Sequence, residues 1–276
     1  MMEIHFSLRN FLKNDFHLCD ILKPIIKRLG GKIRKIKYFQ KYIPRHDLYV
    51  EPFFGGGAVF WHLQPKHAII NDFDSLLINF LTQLRDHSDE LLEKINNLIA
   101  IGNYHEQYYK FRKAMNEEKN LSNLDKAVIF FFINKLSYRG LMRFNQKNQF
   151  NTPFGHYKNF THQITQEHVN LLRSTTILNQ DYSQLLLQYD CKNTFFFLDP
   201  PYHNTNNNYY ASAKFDEQDH KILAQNVKNI KNAKFLLTIN KTPLTEELYR
   251  DFIIDKYSCS QAIFHGGAKN TILIGN

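Results

Sequence analysis

Two consecutive strand-turn-helix steps constrain this chain more than anything else in it. Residues 46–51 (His-Asp-Leu-Tyr-Val-Glu) form an extended run that passes through Pro52-Phe53-Phe54 into Gly55, Gly56 and Gly57. Ala58-Val59-Phe60-Trp61 then reads as the start of a helix. The step is repeated at once: Ala68-Ile69-Ile70 is a short apolar strand ending at Asn71-Asp72, and Leu76, Leu77, Phe80, Leu81 and Leu84 follow at helical spacing. Strands alternating with helices imply a parallel sheet covered by helices, so the expected class is α/β. Strand-like runs return at 176–178, 194–198 and 233–239, and a helix is expected between Asp216 and Lys231. Residues 252–254 and 270–274 can close the sheet as a hairpin, while 90–138 reads as a mainly helical insertion without strand alternation.

Of the 276 residues, 43% are hydrophobic, with 24 Phe and 15 Tyr, which is too much apolar surface for a solvated coil. The longest apolar run, 127–133, falls far short of the ~20 residues that cross a bilayer. Residues 1–20 mix Glu3, Arg9 and Asp15 with apolar positions, so no signal peptide can be drawn and the expected location is the cytoplasm, with no membrane partner. Cys19, Cys191 and Cys259 form no CxxC pair and read as buried thiols in a reducing compartment. No metal site is expected, since none of the 13 His falls into a paired ligand spacing. Charge points to a polyanion: 35 Lys+Arg against 26 Asp+Glu give +9, and acid-free stretches fall at residues 23–46 and between Asp125 and Glu167.

Asp199-Pro200-Pro201-Tyr202 directly follows the apolar strand Phe195-Phe196-Phe197-Leu198. In an open α/β sheet, ligands bind beyond the carboxyl ends of the strands, so an acid there sits at the mouth of a site. The prolines fix φ near −65° and remove N–H groups, leaving the Asp199 carboxylate and Pro200 carbonyl as two preset acceptors beside the Tyr202 face. That set can hold an exocyclic amine on a flat base; the plain alternative is a rigid turn with a capping Asp. The glycine loop contains neither the dinucleotide fingerprint nor a P-loop. Asp72 ends the next strand about 20 residues after Glu51, where such folds place an acid on ribose hydroxyls. Alternatively, the glycines only close a turn and Asp72 only caps a helix.

In chain order, Gly30-Gly31-Lys32, Glu51-Pro52-Phe53-Phe54-Gly55-Gly56-Gly57 and Asp199-Pro200-Pro201-Tyr202 resemble the motifs of Dam-like adenine-N6 DNA methyltransferases, which use S-adenosylmethionine. Between them, residues 138–145 (Tyr-Arg-Gly-Leu-Met-Arg-Phe-Asn) and 150–155 (Phe-Asn-Thr-Pro-Phe-Gly) resemble the segment by which that family reads DNA. The resemblance implies a Rossmann-like SAM-dependent methyltransferase sheet with a mainly helical target-recognition insertion. The catalytic domain would comprise 22–84 and 172–276, the insertion 85–171, and an N-terminal arm 1–21. It implies Asp199, Pro200 and Tyr202 as catalytic residues, and Arg28, Lys32, Glu51, Phe53, Gly55, Gly57, Asp72, Asp181 and Asp199 at the cofactor. At position 28 the family usually carries an aromatic residue, and at 181–182 the acid-aromatic match is looser.

DNA contacts are implied for Tyr138, Arg139, Leu141, Arg143, Asn145, Lys147 and Pro153, with Arg143 foremost for a base contact. Tyr138, Phe144, Phe150 and Phe154 are suited to wedging into the space a flipped base vacates. The implied activity is methyl transfer from S-adenosylmethionine to N6 of an adenine flipped out of double-stranded DNA, GATC being the leading target, without a metal. A cognate restriction endonuclease is an implied partner. The rival readings are a methyltransferase acting on RNA, a small amine or cytosine N4, and a non-catalytic DNA-binding protein. His203, next to Tyr202, is a candidate proton acceptor for the methylated amine.

Overall fold

The structure, a computed structural model, describes residues 21–28, 30–117, 120–204, 215–259 and 269–276. Residues 1–20 of the expected arm, with Cys19, lie outside the described residues. After one helical turn, α1 (Ile36–Phe39), come β1 (Leu48–Glu51), α2 (Ala58–Leu63), β2 (Ala68–Asn71) and α3 (Ser75–Asp86). The helical stretch follows as α4 (Ser88–Ile101), α5 (Tyr104–Glu117), α6 (Asn123–Leu136) and α7 (Gln166–Arg173). The rest is β3 (Thr175–Leu178), α8 (Tyr182–Gln188), β4 (Thr194–Leu198), α9 (Glu217–Lys228), β5 (Lys234–Asn240), α10 (Pro243–Leu248), β6 (Ile253–Cys259) and β7 (Lys269–Gly275).

The strands form one seven-stranded sheet in the order β3-β2-β1-β4-β5-β7-β6. Its first five strands are parallel, and β7 runs antiparallel to both β5 and β6. This is an α/β Rossmann-like sheet, as expected. Side chains alternate across it because successive Cβ atoms point to opposite faces. Tyr49, Ile70, Phe195 and Phe197 face the core shared with α2, α3 and α6, whereas Val50, Ile69, Phe196 and Leu198 face the core shared with α8 and α9. Both faces are covered, which is why these strands read as continuous apolar runs.

Helix α6 explains the longest apolar run: every residue from Ala127 to Asn134 is buried. A helix that is apolar all round must be enclosed, and Phe131 stacks on Phe80 of α3 at 5.2 Å. Starts are set by local chemistry: Asp74 accepts from the Leu76 and Leu77 amides to cap α3, and Thr242 caps α10 ahead of Pro243. Two expectations are corrected. Cys191 is exposed, because it lies in the tight turn that joins α8 to β4, where its amide donates to the Tyr189 carbonyl. Phe150 and Phe154 are buried at 1% and 6% exposure, so these two are committed to the core and are no wedge, while the half-buried Phe144 packs its ring against Phe150. Among the described residues no helix is long and apolar enough to cross a membrane.

Candidate active site

Strand β1 pairs with β2 on one side and β4 on the other, so the loops leaving the carboxyl ends of β1 and β4 diverge at a switch in strand order. The glycine loop leaves β1 there and Asp199-Pro200-Pro201-Tyr202 leaves β4. Asp199 is the hub. Lys32 Nζ donates to both its carboxylate oxygens at 2.5 Å, and Thr238 Oγ, one residue past the pair Leu198 and Leu237, donates to Oδ1 at 2.9 Å. The Lys32 ammonium also lies 5.0 Å from the centre of the Tyr202 ring and reaches the Gly30 carbonyl at 3.3 Å. Burial by itself lowers a lysine pKa, but the Asp199 carboxylate, and after it Tyr202, outweigh it and hold Lys32 above the ordinary range. The charge is therefore permanent.

The glycine loop has the backbone that its sequence requires. Gly55 and Gly57 have φ of +52° and +63°, and a Cβ on Gly57 would fall 2.2 Å from Phe54 Cζ. A Cβ on Gly55 or Gly30 would meet nothing within 4 Å, so both glycines border open space. The Gly55 amide donates to Asp72 Oδ2 at 2.7 Å, and the Asp74 amide to Asp72 Oδ1 at 2.9 Å. Asp72 is thus tied to the loop, and the helix cap is Asp74. Burial raises the Asp72 pKa above the ordinary carboxylate range, against the pull of Arg28. Glu51 lies beneath the loop, 2% exposed, accepting from Tyr49 Oη at 2.8 Å; burial raises its pKa well above the usual range. Phe53 tilts against Tyr182 with ring centres 4.9 Å apart, and Asp181 caps α8 through the Ser183 amide at 2.8 Å. Arg28 pairs with Asp74.

Open space over two glycines, a carboxylate at the end of β2 and an aromatic pair beside them suit a nucleoside-containing cofactor. Among the described residues no three His, Cys, Asp or Glu come together as metal ligands. His203 is half-buried; its Nδ1 lies 3.0 Å from Thr242 Oγ and its carbonyl accepts from Asn240 Nδ2 at 2.8 Å. These bonds fasten the turn after Tyr202 to the end of β5.

The expected DNA-contacting residues share one surface loop. Tyr138 and Arg139 are exposed, Arg139 at φ +56° with its guanidinium 5.2 Å from the Tyr138 ring. Leu141 is half-buried, while Arg143, Asn145, Lys147 and Pro153 are exposed. Arg143 Nε donates to Asn151 Oδ1 at 2.8 Å, and Asn145 Oδ1 accepts from the Lys147 and Gln149 amides at 2.9 Å each. Asn145 therefore builds the turn that presents Lys147. The sequence reading missed Thr238 and Asn71, whose amide joins the Pro52 and Gln180 carbonyls at 3.0 Å each. Asn71 is the polar last residue of an apolar strand and Thr238 a polar residue within one, and that was the available signal.

The family model for D12 class N6 adenine-specific DNA methyltransferases matches residues 29–261. This chain belongs to that family. It is 33% identical to the type II methyltransferase M.CviBI of Paramecium bursaria Chlorella virus NC1A, over 86% of this chain and 90% of that one. Identity to the type II methyltransferase M1.LlaDCHI of Lactococcus lactis subsp. cremoris is 31%, over 91% of each chain. Identity to the DNA adenine methylase of Haemophilus influenzae is 28%, over 82% of each. The chain is an adenine-specific DNA methyltransferase, and its family implies S-adenosylmethionine as the methyl donor.

Proposed function

We propose that this adenine methyltransferase acts on N6 of an adenine flipped out of a specific duplex sequence, with Asp199 as the acceptor that orients the amine. The observation that carries this reading is the state of Asp199. A carboxylate offers about four lone-pair sites. Three are engaged here, by Lys32 twice and by Thr238, and the remaining capacity is on Oδ2 at the edge of the site.

Adenine N6 is a poor nucleophile because its lone pair is delocalised into the ring, and in a duplex it is stacked out of reach. Flipping costs a few kcal/mol, which stacking on Tyr202 and hydrogen bonds from N6–H₂ to Asp199 and the Pro200 carbonyl offset. Those acceptors favour a tetrahedral nitrogen whose lone pair is directed at the donor. When bound, S-adenosylmethionine supplies an electrophilic methyl group. The chain supplies alignment and a fixed electrostatic field, since Lys32 and Thr238 keep Asp199 from turning. In the cofactor site, Asp72 accepts the ribose hydroxyls, Phe53 and Tyr182 border the adenine, and the glycine loop with Lys32 borders the methionine portion. Glu51 acts through the buried hydrogen bond it accepts from Tyr49 Oη, and Asp181 through the start of α8, where it accepts from the Ser183 amide.

Residues 85–171 serve as the target-recognition unit beside a catalytic unit of 22–84 and 172–276. The exposed loop with Arg143 and Lys147 supports this, and GATC is the target to test first. Two relatives are named type II methyltransferases, which supports a partner endonuclease cutting the same sequence. The test is to incubate the protein with S-adenosylmethionine and unmethylated duplex DNA and analyse the nucleosides by mass spectrometry. N6-methyl-2′-deoxyadenosine from wild type, none from Asp199→Ala and none from DNA lacking GATC is the expected result. Methylated cytosine, or transfer to RNA alone, would refute it.

A further inference from the structure

Residues 22–28 and 30–35 cross the site before the first strand, and one side chain among them makes a buried contact that the reaction just described does not use. Arg28 Nη2 pairs with Asp74 Oδ2, and the two side chains are only 7% and 12% exposed. The same arginine lies along the glycine loop: a Cβ on Gly56 would stand 3.6 Å from Arg28 Cβ and 3.7 Å from Cγ. Asp74 is in turn the cap of α3, and its amide donates to Asp72. One arginine thus lays its aliphatic stem along the loop and pairs its guanidinium with the helix start, the two elements that together hold Asp72.

Among the described residues the charges around Asp72 are few. From the 22–35 segment comes Arg28, from the start of α3 comes Asp74, and from β1 comes the buried Glu51; the neutral donors are the Gly55 and Asp74 amides. Asp74 repels a second negative charge at Asp72 and Arg28 attracts it. A buried carboxylate with a like charge beside it tends to take up a proton and then loses half its capacity as an acceptor. A buried arginine stays charged, so it can counter that tendency at every working pH.

We propose that Arg28 is a positioning residue of the cofactor site, which balances the charge of the Asp72–Asp74 pair so that Asp72 accepts the ribose hydroxyls of S-adenosylmethionine. The proposal rests on the reading of Asp72 as the ribose-binding acid. Arg28 does this without touching the cofactor, through Asp74 and the glycine loop.

The experiment measures S-adenosylmethionine affinity of the full chain by calorimetry from about pH 5 to pH 8.5, with circular dichroism verifying that each variant is folded. Wild type loses affinity on the acid side as Asp72 takes up a proton. In Arg28→Met that loss begins about one pH unit higher, close to a tenfold deficit on the acid limb, with affinity near pH 8.5 within about threefold of wild type. Asp74→Asn keeps an amide-accepting cap and removes the repulsion, so its acid limb moves the opposite way; Arg28→Lys restores wild-type behaviour. A purely structural arginine would instead lower affinity by one factor at all pH values, and Asp74→Asn would do the same. Either result overturns the proposal, and Asp74→Asn provides the sign test if Arg28→Met does not fold. Wild type that fails to bind S-adenosylmethionine near pH 8 would overturn the cofactor reading itself.

Discussion

The Asp199 carboxylate is oriented from below by a strand and from the side by a lysine, and the two supports differ in kind. Lys32 supplies charge, while Thr238, wholly buried on β5, supplies direction through a single hydroxyl. Thr238→Val removes the hydroxyl at nearly constant volume. A hydrogen bond to a charged group contributes about 1.5–3 kcal/mol. If about half of that is felt in the transition state, kcat falls roughly tenfold with KM for S-adenosylmethionine little changed, which steady-state kinetics would register. Gly57→Ala tests the loop. With φ at +63° and Phe54 Cζ 2.2 Å from the new methyl, we expect a loss of about 3 kcal/mol and a Tm lower by roughly 6–12 °C in thermal unfolding. The need for glycine was legible in the sequence. The role of Thr238 was not, because only the register of β4 on β5 brings it to Asp199.

Among the elements, the helix α6 and the segment 22–35 are joined more tightly than any linear pattern suggests. Asn134, wholly buried, accepts from the Lys27 amide and donates to the Lys27 carbonyl, both at 2.9 Å. It acts as one rung of a sheet built from a side chain. Next to it, a Cβ on Gly140 would fall 2.6 Å from Lys27 Cβ, and the Lys27 ammonium lies 4.0 Å from the Tyr157 ring centre. Lys27 thus meets the surface loop that begins at Tyr138 while Arg28, the next residue, meets the glycine loop. Asn134→Ala strands two part-buried backbone groups, at about 1–2 kcal/mol each. Equilibrium urea unfolding should show a loss of about 2–4 kcal/mol, and Asn134→Asp should be worse, since it exchanges a donor for a buried charge. The parallel strands, the long helices and the closing hairpin were legible from periodicity. The short α8 and α10 were not, because each offers only two turns or less and is stabilised by a cap, Asp181 or Thr242, more than by an apolar stripe.

At the scale of the whole molecule, charge and protonation set the working range. The net +9 drives association with DNA, and each phosphate contact removed lowers the slope of log K against log salt by about 0.9. Lys147→Ala should therefore weaken binding evenly across sequences and reduce that slope by about one, as salt-titrated fluorescence anisotropy would show. Stability follows pH through His220. Its ring is wholly buried, edge-on to Phe215 at 4.8 Å, and neither nitrogen has a hydrogen-bond partner among the described residues. Burial, and then the charge of His203, push its pKa down to about 4. An unfolded histidine titrates near 6.5. Between those values the unfolded chain binds the extra proton, so the stabilisation is complete above about pH 6.5 and is lost on acidification, on the order of 3 kcal/mol by pH 4. His220→Phe should leave the neutral urea midpoint nearly unchanged and flatten its decline towards pH 5.

The position of β7 between β5 and β6 bears on the order in which the molecule can be built. Translation delivers β6 first, but among the described strands β6 pairs only with β7 and has no place in the sheet until residues 269–275 emerge. Until then β5, the strand that carries Thr238, presents a long apolar border with unsatisfied amides. A nascent chain paused before Lys269 is therefore a client for chaperones and a partner for other such chains before it is an enzyme.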